Sequence, residues 1–124
     1  LDLSDNCIFR IDSRLFSNLK KLTNLNLKNN LILNFESKVF SNLDNLIELD
    51  LSGNRIFTLD SDIFSFLLKI KTIKLNNNYM RTLNLTILNN LHYIQNLNLE
   101  NNQHLHIDLI NSSLIVLPEL RELN

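Results

Sequence analysis

Residues 46–56 read LIELDLSGNRI, a phrase in which apolar residues alternate along a short strand and one asparagine closes the turn. Leu46, Leu49, Leu51, Asn54 and Ile56 recur 24 residues earlier as Leu22, Leu25, Leu27, Asn30 and Ile32. They recur 24 residues later as Ile70, Ile73, Leu75, Asn78 and Met80. Ile94, Leu97, Leu99 and Asn102 form a further copy, and the chain opens inside another at Leu1, Leu3, Asn6 and Ile8. Five copies at one interval define a repeat array.

The phrase predicts its own geometry. Side chains of a strand alternate between faces, so Leu49 and Leu51 point one way while Glu48, Asp50 and Ser52 point the other. One copy cannot bury its leucine face alone, whereas stacked coils share a continuous core. The expected architecture is an α/β solenoid with parallel strands on a concave side and bulkier return segments, irregular or 3₁₀, on a convex side. Leaving each strand exposes backbone N–H and C=O groups inside the coil, and buried polar groups need partners. Asparagine offers both a donor and an acceptor on a short side chain. Asn6, Asn30, Asn54, Asn78 and Asn102 are therefore expected to form a structural ladder.

These residues resemble the leucine-rich repeat family in its 24-residue form, which also carries a phenylalanine later in each repeat. Phe16, Phe40 and Phe64 stand at that position, each followed three residues on by Leu19, Leu43 and Leu67. The resemblance implies a horseshoe segment of the extracellular class found in Toll-type receptors and chaoptin-like adhesion ectodomains. It further implies binding of a protein ligand or co-receptor, in innate recognition or cell adhesion, without catalysis. The competing expectation is an intracellular repeat scaffold that targets an attached enzyme.

Composition narrows the classes. The chain has 124 residues, 12 basic and 13 acidic, for a net charge of -1. That balance argues against nucleic acid or an anionic membrane as partner. No apolar run approaches the roughly 20 residues of a membrane helix. Residues 1–124 read as about five repeats that start and end mid-phrase without polar caps. This leads us to expect signal, caps and any membrane anchor outside the segment. The single cysteine, Cys7, cannot form an internal disulfide.

No catalytic constellation emerges, and no cofactor is expected. His92, His104 and His106 lack the further converging ligands that zinc requires. One glycine rules out a Gly-rich phosphate loop. Asp12-Ser13, Glu36-Ser37 and Asp60-Ser61 read as caps of short helical or 3₁₀ turns. Repeat four replaces the phenylalanine by Leu88 and the acidic-Ser pair by Asn84-Leu85-Thr86, which predicts a less helical back. In repeat five His104 falls where an inward residue belongs. An inserted residue would turn Leu105 inward, and a second would complete a 26-residue repeat through Leu117, Pro118 and Leu120.

Partner contacts are expected on the concave face, where outward residues form columns. One runs Asn24, Glu48, Thr72 and Asn96; the next runs Asp2, Asn26, Asp50, Lys74 and Asn98; a third runs Ser4, Lys28, Ser52, Asn76 and Glu100. They are polar and carry no aromatic residue. Phe9, Leu33 and Phe57, with Leu31 and Tyr79 nearby, form a second candidate surface at the lateral edge. Two sequons, at Asn84 and Asn111, fall in return segments and are candidate glycosylation sites.

Overall fold

The computed structural model describes residues 1–103, 105–108 and 121–123. Strands β1 (Asn24–Asn26), β2 (Glu48–Asp50) and β3 (Thr72–Lys74) are followed by β4 (Thr82–Asn84), β5 (Asn96–Asn98), β6 (His106–Asp108) and β7 (Glu122–Leu123). The main sheet is parallel, in the order β1-β2-β3-β5-β7, and Asp2 adds a bridge to Asn26 at its first edge. Leu25 pairs with Leu49, Leu49 with Ile73, and Ile73 with Leu97, so like residues stack coil on coil. The middle residue of each of these strands is buried and its neighbours are not. Strand alternation thereby separates a dry inner face from a wet concave one.

The core is a set of columns. Leu27, Leu51, Leu75 and Leu99 follow the strands; Ile32, Ile56 and Met80 follow the turn; Leu46, Ile70 and Ile94 precede the next strand, and all are buried. Phe16, Phe40 and Phe64 form the back of the core, with ring centroids 6.3 Å apart at each step. Phe35 tilts against Phe40 at 5.3 Å.

Behind the phenylalanine column the chain makes successive tight turns rather than a helix. Leu15 N–H donates to Asp12 C=O, Ser17 to Arg14, Leu19 to Phe16 and Leu22 to Leu19, and the second and third coils repeat the series. The acidic caps partly act between coils. Asp12 accepts the N–H of Arg14 at 2.8 Å, but Glu36 reaches back one coil to the N–H of Ser13 at 3.1 Å and to the Arg10 guanidinium. The hydrogen bond from Arg10 and then that from Ser13 hold the Glu36 carboxyl below its ordinary value. A depressed folded value stabilises above the unfolded value of 4.5, and the gain fades as pH falls through the folded value. Glu36→Gln should therefore melt below the parent at neutral pH and converge with it in acid. The difference should be small and weaken in salt, because the pair is solvent-exposed. A pH series of thermal melts at two salt concentrations measures it.

Repeat four corrects the expectation of a less helical back. Leu85–Leu88 form the 3₁₀ helix of the described residues, and Asn84 is its N-cap, accepting the Thr86 N–H at 3.0 Å. The cap function did not need an acidic residue, since asparagine serves equally. Immediately before it, β4 pairs with β6 in a second, two-stranded parallel sheet on the return path. The sequence reading had not anticipated this sheet. Thr82 pairs with His106, an offset of 24, whereas Asn96 pairs with Glu122, an offset of 26. Leu105 is half-buried against the core, as expected of an inward residue, and the offset grows by two between the pairings of Asp108 and Glu122. His104, Leu117, Pro118 and Leu120 lie outside the described residues.

Candidate binding surfaces

The asparagine ladder sets the shape on which both candidate surfaces rest. Asn54 donates from its amide nitrogen to the carbonyls of Leu27 (2.9 Å), Leu51 (3.1 Å) and Ser52 (3.3 Å), and its oxygen accepts the Ile32 N–H at 3.1 Å. Asn30 and Asn78 repeat this arrangement one coil earlier and later. Asn102 takes the Met80 N–H and donates to Leu75 and Leu99. These four are buried. Asn6, in the first coil, makes the same bonds within its own coil, to Leu3 and Ser4, and is exposed.

The residue before each ladder asparagine has a left-handed backbone. Asp5, Asn29, Gly53, Asn77 and Asn101 all have φ between 52° and 65°. Asn, Asp and Gly are the types that tolerate that conformation, so the column was visible in the sequence once aligned. A Cβ on Gly53 would clash with the side-chain oxygen of Asn29, whose amide nitrogen donates to Asp5. Gly53→Ala should cost about 1–2 kcal/mol in left-handed strain, and Gly53→Asn less, as the column dictates. Equal melting temperatures for the two variants would contradict this account.

On the concave face the strand columns stand in register. Lys74 bridges Glu48 at 2.7 Å and Asp50 at 3.5 Å, and Asn24 donates to the other Glu48 oxygen at 3.2 Å. The hydrogen bond to Glu48, followed by attraction to Asp50, raises the Lys74 ammonium above its ordinary value, so it stays charged through neutral pH. Asp2, Asn26, Asp50 and Asn98 each turn a side-chain oxygen onto the N–H two residues ahead and so close the strand. Their contact atoms are partly committed to the turn. Ser52 must be corrected: it is buried, and its hydroxyl donates to Asp50, so it supports a neighbour and is not an accessible contact. The remaining positions, Asn24, Asn26, Lys28, Glu48, Asp50, Thr72, Lys74, Asn76, Asn96, Asn98 and Glu100, are half-buried or exposed.

The lateral edge holds what the concave face lacks. Phe9 is 70% exposed, Tyr79 64%, and Leu33 and Phe57 47% each, so these side chains do not fill the gap between loops. Leu33, Arg55, Phe57, Tyr79 and Arg81 line an open groove of about 620 Å³. Elsewhere, Asn84 is exposed at its cap, and Asn111 lies outside the described residues. Among the described residues no cluster of His, Cys, Asp and Glu is arranged to hold a metal ion, and no helix is long and apolar enough to cross a membrane.

A short-stranded parallel sheet on one wall, turns on the other and a buried asparagine at each corner define a leucine-rich repeat solenoid. The family model described as leucine rich repeat matches residues 1–56 and 44–103, and the chain belongs to that family. The crystal structure of the leucine-rich repeat domain of APL1B is similar in fold, with a TM-score of 0.83 at 24% identity over 94% of this chain and 35% of that one. A chain of the crystal structure of a TLR13–ssRNA13 complex is 36% identical, with a TM-score of 0.77 over 84% of this chain and 15% of that one. A chain of the glycosylated Toll–Spatzle complex of Drosophila is 29% identical, with a TM-score of 0.73 over 86% and 15%. The chain thus spans about a third of the first structure and far less of the other two. No curated protein matches the sequence.

Proposed function

We propose that this chain is a protein-binding leucine-rich repeat segment of a cell-surface or secreted receptor or adhesion protein, recognising a protein ligand or co-receptor without catalysis. The observation that carries the reading is the concave array itself. Eleven accessible polar side chains project from a sheet whose register is fixed by hydrogen bonds and stacked leucines. A rigid array loses little conformational entropy on binding. Similarity to segments of a TLR13 and a Toll structure supports the receptor class and an extracellular setting. One of those structures holds RNA, but here the central cation of the concave columns, Lys74, is already neutralised by Glu48 and Asp50. Lys28 is then the one cation of these columns outside an ion pair among the described residues, too little for a path of phosphates, which favours protein over nucleic acid.

Photo-crosslinking side chains placed at Thr72 or Asn98, compared with one at Asp62 on the back, test the face. A partner captured from the first two positions and not from Asp62 supports the concave reading; capture only from the back overturns it. Glycosylation at Asn84 and Asn111 belongs to the same reading. The Asn84 oxygen caps the 3₁₀ helix, which leaves its amide nitrogen to accept a glycan. Expression through a secretory pathway should give a glycosidase-sensitive mass that decreases in Asn84→Gln. An unmodified secreted chain would remove this support for the extracellular setting.

A further inference from the structure

The flank that follows each concave strand forms a surface of different chemistry. Past the ladder asparagine, one residue of each coil turns into the core and its two neighbours turn out. Ile32, Ile56 and Met80 are the buried residues, so Leu31 and Leu33, Arg55 and Phe57, and Tyr79 and Arg81 flank them. The backbone beneath is fastened coil to coil, Arg55 N–H to Ile32 C=O and Tyr79 N–H to Ile56 C=O at 2.9 Å each. Stacking sets Phe57 beside Leu33 and Tyr79 beside Arg55, and the groove described above runs between them.

The groove draws its charge from two arginines, Arg55 and Arg81. Arg10 and Arg14 are held by Glu36 and Asp12 at 2.6 and 2.9 Å, and Lys74 by Glu48. Among the described residues no carboxylate lies within ion-pair distance of Arg55 or Arg81. The groove therefore combines an apolar floor with two guanidinium groups that this surface does not neutralise. Arginine and tyrosine are also the types that dominate interface energetics, and a guanidinium matches a carboxylate with two parallel hydrogen bonds.

We infer that this flank groove is a docking site for an acidic and apolar segment of a protein partner. A carboxylate is engaged by Arg55 and Arg81, and an adjoining apolar side chain seats on Leu33, Phe57 and Tyr79. Charge complementarity selects this occupant. Single-stranded RNA also uses arginine and aromatic rings, but it needs a basic path along its phosphates. The flanking Asn34, Thr58 and Thr82 provide none. The site stands apart from the concave face, and the two are separable by experiment.

The test is selection of displayed random short peptides on the chain, with single-stranded oligouridylate as a parallel probe. The expected result is enrichment of peptides with Asp or Glu next to an aromatic or aliphatic residue. Their affinity should fall about tenfold or more in Arg55→Glu and in Arg81→Glu, with part retained in Arg55→Lys and with unchanged melting of all three variants. Two arginine positions keep the test decisive if one variant folds poorly. No enrichment, enriched peptides without acidic residues, or affinity indifferent to both reversals overturns the assignment. So does peptide binding lost instead on charge reversal at Lys74, which would support the concave face. Oligouridylate binding that depends on Arg55 and excludes the peptides overturns it in favour of nucleic acid.

Discussion

Replacing Asn54 with leucine is expected to lower the stability of the array by about 2–4 kcal/mol while leaving the concave surface chemically intact. The side chain is buried, and leucine fills a similar volume, so no large cavity opens. What is lost is hydrogen bonding. The Leu27 carbonyl keeps Asn30, the Leu51 carbonyl keeps Asn78, and the Ser52 carbonyl keeps the Asn29 N–H. The Ile32 N–H is left with nothing, because the Asn54 oxygen was its partner. One orphaned buried donor costs about 1–3 kcal/mol, and the weakened carbonyls add to it. Asn6→Leu is the natural control, since Asn6 is exposed and serves only its own coil. Denaturant melts of both variants measure the difference. Equal stability of Asn54→Leu and the parent would refute the load assigned to the ladder.

The second large effect is expected from Phe40→Ala, at about 3–5 kcal/mol. Phe40 is fully buried, stacks between Phe16 and Phe64, and meets the tilted ring of Phe35 from its own coil. Removing it takes a wall from two neighbours at once, and a stacked solenoid relaxes poorly because each coil is tied to the next by backbone bonds. Phe40→Leu should cost far less, because Leu88 already fills the equivalent position of the fourth coil and is buried there. Melts of the two variants read the ordering directly. Comparable losses would mean that the ring stack, not the filled volume, holds the coils together.

The strand phrase was legible because burial follows a period of two, and the interval of 24 carried that pattern from Leu25 through Leu97. Features that depend on a neighbouring coil were not legible in the same way. Asn6 looks identical to Asn54 within its own repeat, yet its burial is decided by whether another coil lies before it. Ser52 sits on the outward side of the alternation, but the chain turns there and the Asp50 carboxylate draws its hydroxyl inward. The β4–β6 pair was missed because Thr82–Asn84 is not a strand phrase; it is extended only where a second segment lies alongside it. On the candidate surfaces, residue types were readable, whereas neutralisation of Lys74 and the unpaired state of Arg55 required geometry.

The asparagine ladder also gives the stack a direction. Each asparagine oxygen takes an N–H of the coil before it, and its nitrogen reaches a carbonyl of that same earlier coil. A later coil therefore brings the clasp, and an earlier one offers only the eye. Stripping coils from the C-terminal side leaves backbone N–H groups such as that of Ile32 to water, whereas stripping them from the N-terminal side leaves a side-chain amide to water, as at Asn6. The array is thus zipped asymmetrically, and its two ends are unequal places at which to cut, fuse or extend it.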